Sequence, residues 1–201
     1  TQSFDGRFLT HVGYDANPGT GSIASSIVNR TVGRIDFNGT VNTSTSYLAT
    51  AGNAYSGVNI RSGVTNDGTQ FWTSGGSDLT AGIRYLTLGQ DNIAGIQIST
   101  SSTNTRVVSI FNSQLFVSTG AGALRLATVG TGLPTTSGQT ITNLNGIPTS
   151  DLGSNSYIFF DRDPLIPGDD LVYLACQSTT PGASGLFKYS FDGTTWTAQG
   201  S

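Results

Sequence analysis

The sequence predicts an all-β protein, a partial β-propeller of about four four-stranded blades with the first blade incomplete. Three observations carry this. A strand-and-turn unit recurs four times at a period of roughly 45 to 60 residues, the range of radial and solenoid repeats. The apolar runs are short, β-branched or aromatic, and bounded by Gly, Asn, Asp and Ser, with almost no helical periodicity. Several strands carry apolar residues on both faces, as a sheet stacked between two neighbours requires.

The first member of the unit is a polar turn followed by a strand. It occurs as Asp5-Gly6-Arg7-Phe8-Leu9, Asp67-Gly68-Thr69-Gln70-Phe71-Trp72, Asn112-Ser113-Gln114-Leu115-Phe116-Val117 and Gly168-Asp169-Asp170-Leu171-Val172-Tyr173. The second member is a strand one loop later: Val32–Phe37, Gly82–Leu86, Ala123–Ala127 and Gly185–Tyr189. Around them the modules span approximately residues 1–50, 56–100, 104–150 and 155–201.

In the first module the expected strands are Phe8–Val12, Thr31–Phe37 and Thr40–Leu48, with no partner on the N-terminal side. The second has Val58–Val64, Gln70–Thr73, Gly82–Leu88 and Ile93–Ser99, and Ser74-Gly75-Gly76-Ser77 reads as a turn with no phosphate-binding lysine after it. The third has Arg106–Phe111, Gln114–Ser118, Ala123–Val129 and Thr140–Asn143. The fourth has Tyr157–Asp161, Leu171–Cys176, Gly185–Phe191 and Thr194–Gln199, with Asp192-Gly193 as a two-residue hairpin signal. Both alternating sets of Leu171–Cys176, Val107–Phe111 and Tyr157–Phe160 are apolar, so each of these strands is expected to be covered on both sides.

Only 10% of the 201 residues are charged, against about 25% in an ordinary soluble domain. Ser, Thr, Asn, Gln and Gly supply the polarity instead, and 27 glycines indicate many tight turns. Ten Phe, seven Tyr and two Trp are enough to fill a core. The net charge is −3, and nine scattered Lys and Arg form no basic stripe, which excludes a nucleic-acid partner. No apolar run approaches the roughly 20 residues of a membrane-spanning helix. This composition points to a secreted or cell-surface protein. The chain does not begin with Met, so processing or a longer precursor is expected.

Three full blades and one partial blade do not close a ring of 4 to 8. The expectation is therefore a propeller completed by a second copy, by another protein, or by the remainder of a precursor.

The segments Val32–Asp36, Ala54–Ser62, Gly82–Tyr85, Asn104–Asn112 and Thr128–Gln139 are similar to a family of uncharacterised secreted bacterial-type β-propeller proteins. Members of that family often carry extracellular sorting or lamin-tail-like domains. The resemblance runs from about Asp5 to Gln199 and covers about half of such a propeller. It implies further blades and supplies no catalytic residues, because the family has no established activity.

Few groups are suited to chemistry. His11 is the sole histidine and Cys176 the sole cysteine, in different modules, so no triad or zinc site is expected and no catalytic residue is assigned. Cys176 reads as a small buried hydrophobe. Asp161, Asp163, Asp169 and Asp170 form the densest acidic cluster. They are the candidates for calcium, with a solvated turn as the ordinary reading. Asn29, Asn38 and Asn42 head Asn-X-Ser/Thr sequons and are candidate glycosylation sites. Arg34, Arg84, Arg125 and Lys188 recur once per module and read as structural, pairing with carboxylates such as Asp36. An anion- or sugar-binding ring is the alternative. Among the aromatics, Trp196 in the outer strand is the candidate for stacking on a sugar.

The function expected is non-enzymatic: an extracellular structural or protein-interaction module that forms an oligomer or complex. The alternative is a carbohydrate-binding, lectin-like propeller. No cofactor is expected beyond calcium.

Overall fold

The structure, a computed structural model, describes residues 1–50, 52–76, 80–101, 104–120, 122–150, 153–178 and 184–200. It is all-β, with four antiparallel sheets that follow one another along the chain. The first holds β1 (Phe8–Tyr14), β2 (Arg30–Asp36) and β3 (Val41–Tyr47). The second holds β4 (Ile60–Thr65), β5 (Gln70–Gly75), β6 (Gly82–Thr87) and β7 (Ile96–Ser99). The third holds β8 (Thr105–Phe111), β9 (Gln114–Thr119), β10 (Leu126–Val129) and β11 (Ile141–Asn143). The fourth holds β12 (Gly153–Phe160), β13 (Leu171–Gln177), β14 (Gly185–Phe191) and β15 (Trp196–Gly200). Each is a meander in which consecutive strands pair. One 3₁₀ turn, Ile23–Ser25, lies in the loop after β1, and no α-helix occurs among the described residues.

Polar turns set the register. Asn112 and Ser113 both take positive φ (46° and 59°), so β8 and β9 join through a two-residue loop whose twist matches the strands. Asp67 and Asp192 each accept from a backbone N–H and a hydroxyl two residues on, Thr69 and Thr194 respectively. The carboxylate of Asp36 likewise accepts from the backbone of Asn38 and Thr40. It therefore closes its own hairpin and does not pair with an arginine.

Several expectations shift: β7 begins at Ile96 and β10 at Leu126, three residues later than expected in each case, and β12 begins at Gly153, four residues earlier. Ser74 and Gly75 continue β5 instead of turning, and Ser77 lies outside the described residues. A Cβ on Gly75 would sit 2.2 Å from the Asn59 carbonyl oxygen, so glycine is needed there for close approach, not for a bend. The first sheet is also less truncated than expected at its N-terminal side. Thr1–Ser3 run antiparallel to β1, with Thr10 N–H donating to Thr1 O at 2.7 Å and Ser3 N–H to Phe8 O at 2.8 Å. Thr1 Oγ1 then donates to Gly63 O in β4 at 2.6 Å. Three residues thus take the place that β4, β8 and β12 fill in the other sheets.

The sheets stack in chain order: β1 against β4, β4 against β8, and β8 against β12. Each junction is one core cluster. Val12, Tyr14 and Val32 of the first sheet meet Ile60, Phe71 and Leu86 of the second. Val64, Trp72, Ile83 and Ile98 meet Val108, Ile110, Leu115 and Val117 of the third. Val107, Phe111, Phe116 and Leu126 then meet Tyr157, Phe159, Val172 and Leu174 of the fourth. The second and third sheets are therefore apolar and covered on both faces. The outer two are covered on one.

Candidate interaction faces

The uncovered face of the fourth sheet follows from strict alternation. Val172, Leu174 and Cys176 point into the core, so Leu171, Tyr173 and Ala175 point away from it. Ile158 lies opposite Tyr173, which lies opposite Lys188; Phe160 lies opposite Leu171, and Ala175 opposite Leu186. The result is a continuous apolar surface. Leu186 is 58% exposed, Ile158 48% and Phe160 40%, and the Phe160 and Tyr173 rings meet edge to face at 6.1 Å. The expectation that Leu171–Cys176 and Tyr157–Phe160 are covered on both sides is corrected here, since each has one open side among the described residues. For Val107–Phe111 the two-sided burial is observed.

On the first sheet the uncovered face carries Leu9, Ile35 and Val41 in one cross-strand row, with Leu9 and Val41 more than half exposed. Ile35 and Val41 of this row also line a depression of about 530 Å³, with His11, Tyr14, Asp15, Ser46 and Asp91 among its other walls. Ser46 donates its hydroxyl proton to Asp91, and the exposed His11 imidazole bonds to neither. A Ser, a His and an Asp thus share this surface, with the Ser46 hydroxyl bound to the carboxylate and not to the imidazole.

The acidic residues of the fourth module are divided by role. Asp170 is buried, and its carboxylate accepts from the backbone N–H groups of Arg162 and Asp163, which fixes the loop before β13. Burial, reinforced by the charge of Asp161, pushes the Asp169 carboxyl above its usual range. Asp161 and Asp163 are exposed. Among the described residues no three of His, Cys, Asp and Glu are grouped as a metal site, and Asp170 is committed to backbone donors.

Of the sequon residues, Asn38 is exposed at the tip of the β2–β3 hairpin. The Asn29 side chain is engaged with Asn92 and with the Ala49 amide, and Asn42 with Ser44. Trp196 is the clearest correction. It is 6% exposed, stacked on Phe191 at 5.0 Å and packed against Phe159, so its ring belongs to the core and offers no sugar platform. Trp72 is equally buried, donating to Pro134 O at 2.7 Å.

The recurrent cations bind backbone carbonyls. Arg34 donates to Gly68 O, Arg84 to Thr80 O and Ala94 O, and Arg125 to Gly122 O and Leu124 O. Arg30 and Arg61, which the sequence reading left aside, do the same. The fully buried Arg30 ties Ala24, Ser26 and Val28 to Val58, and Arg61 bridges to Thr105 O. Lys188 departs from the pattern and stands exposed on the uncovered face of the fourth sheet. Cys176 is buried beside Ser154, and burial raises its thiol pKa, so it is held as an unreactive thiol.

Among the described residues no helix is long and apolar enough to cross a membrane. No family model, curated protein or solved structure matches this chain.

Proposed function

We propose that this chain is a non-enzymatic extracellular structural or interaction module, a part-propeller whose two end sheets dock onto further subunits or onto further blades of the same kind. One observation carries the reading. The inner sheets are apolar and covered on both faces, while the outer sheets present apolar faces that no other described residues cover. Clustered exposed apolar residues mark association surfaces. The carbohydrate-binding alternative loses its stacking residue, because Trp196 is in the core. The mass of the native assembly isolated from its source tests the proposal. A complex well above 20.8 kDa is expected, and a lone 20.8 kDa species in that native material would remove it.

A further inference from the structure

We infer that the occupant of these faces is a second copy of this chain, arranged head to tail, with the fourth sheet of each copy lying on the first sheet of the other. This rests on the reading of the end sheets as docking faces and names their partner.

The internal junctions supply the template. Trp72, Phe116 and Tyr173 follow Gln70-Phe71, Gln114-Leu115 and Leu171-Val172 in β5, β9 and β13. Each lies opposite a residue of the preceding strand: Val64, Ser109 and Ile158 respectively. Trp72 and Phe116 pack into the junction with the next sheet. Tyr173 has the same position and pairing but no sheet to receive it. The open face of the fourth sheet is thus the side that accepts a following sheet, and that of the first is the side that follows one.

Charge accords with the same pairing. Lys188 and Arg162 stand exposed on the fourth-sheet side, and the one ion pair among the described residues is Arg7–Asp5. Asp15 and Asp91 line the open face of the first sheet. Asp170, in the same depression as Arg162 and Lys188, is committed to backbone amides, so head-to-tail contact gives Lys188 the carboxylates of Asp15 and Asp91 to face, while the internal junctions fix the order of the sheets. Two copies supply eight sheets, the upper end of the 4 to 8 that close a propeller, and a heterologous contact closes into a ring when its rotation permits.

Light scattering on the purified chain is the test, with a mass twice 20.8 kDa expected. Tyr173→Asp and Val41→Lys, one on each face, should each weaken the dimer at least tenfold while retaining native near-ultraviolet circular dichroism. Leu186→Cys and Val41→Cys in one chain should form a disulfide joining position 186 of one copy to position 41 of the other, and neither single variant should cross-link to itself. A monomer at millimolar concentration, a 186-to-186 link, or a mass that grows without limit would each overturn the closed head-to-tail pair. A monomeric pure chain within a large native complex would remove the second copy and leave the proposed function standing, whereas a lone native monomer would remove both.

Discussion

Tyr47 and Tyr55 share a single hydroxyl. Each phenolic oxygen lies 2.8 Å from Thr73 Oγ1, and the two rings meet edge to face at 5.5 Å. Tyr55 also reaches Gly82 O at 3.3 Å, which orders the protons: Tyr47 donates to Thr73, Thr73 to Tyr55, and Tyr55 to the carbonyl. All three side chains are fully buried. Thr73→Val preserves the shape and removes the middle of this relay. It should cost about 1–3 kcal/mol, chiefly for the buried Tyr47 hydroxyl left without an acceptor while Tyr55 keeps Gly82 O, read from the urea midpoint at unchanged m-value.

The same burial fixes a response to alkali. Desolvation raises the pKa values of Tyr47, Tyr55 and Tyr157 well above their ordinary value. The folded state therefore keeps its phenolic protons while the unfolded chain releases them above about pH 10. The contribution is fully present below that pH and declines as pH rises through it. With the partly buried Thr1 amine held below its usual pKa and the Cys176 thiol above its own, urea midpoints should rise slightly toward pH 8, begin to fall from about pH 9, and fall steeply from about pH 10 upward. Tyr157→Phe should reduce the steepness of that fall.

Gly146 carries φ +92°, and a Cβ there would meet the Trp196 carbonyl oxygen at 2.0 Å. Gly193 has a similar φ of +95° with open space around it. Gly193→Ala should cost about 1–2 kcal/mol for left-handed backbone alone. Gly146→Ala should cost more, because the obstacle is backbone that holds β15, and thermal denaturation of the two variants measures the difference.

Asp170→Ala removes the acceptor for the Arg162 and Asp163 amides. The segment 161–168 should then become the first site of limited proteolysis, with a stability loss of about 1–3 kcal/mol for buried donors left unpaired.

With both tryptophans in the core, native fluorescence should be blue-shifted and poorly quenched by iodide, becoming red-shifted and quenchable only on unfolding. A readily quenched native signal would mean that Trp196 stands in solvent.

Strand positions were legible because each strand is short, apolar and closed by Asp-Gly, Asn-Ser or Gly-rich turns; Gly185–Phe191 and Gln114–Thr119 lie where their patterns put them, to within a residue. The fate of individual faces was harder to read. Tyr173 and Val172 are both apolar types, and only the presence or absence of a neighbouring sheet separates one from the other. Trp196 was misread for a related reason. An outermost strand suggests exposure, yet its ring points inward, where Phe159 and Phe191 receive it. Ser74-Gly75 has turn composition in a strand because a neighbouring carbonyl approaches too closely for a side chain.

Because Arg30, Arg34, Arg84 and Arg125 hold the loops through peptide carbonyls, and the one ion pair among the described residues is the exposed Arg7–Asp5, counter-ions have little to compete for. Folding should be nearly indifferent to ionic strength, and the monomer's melting temperature in brine should match that in dilute buffer.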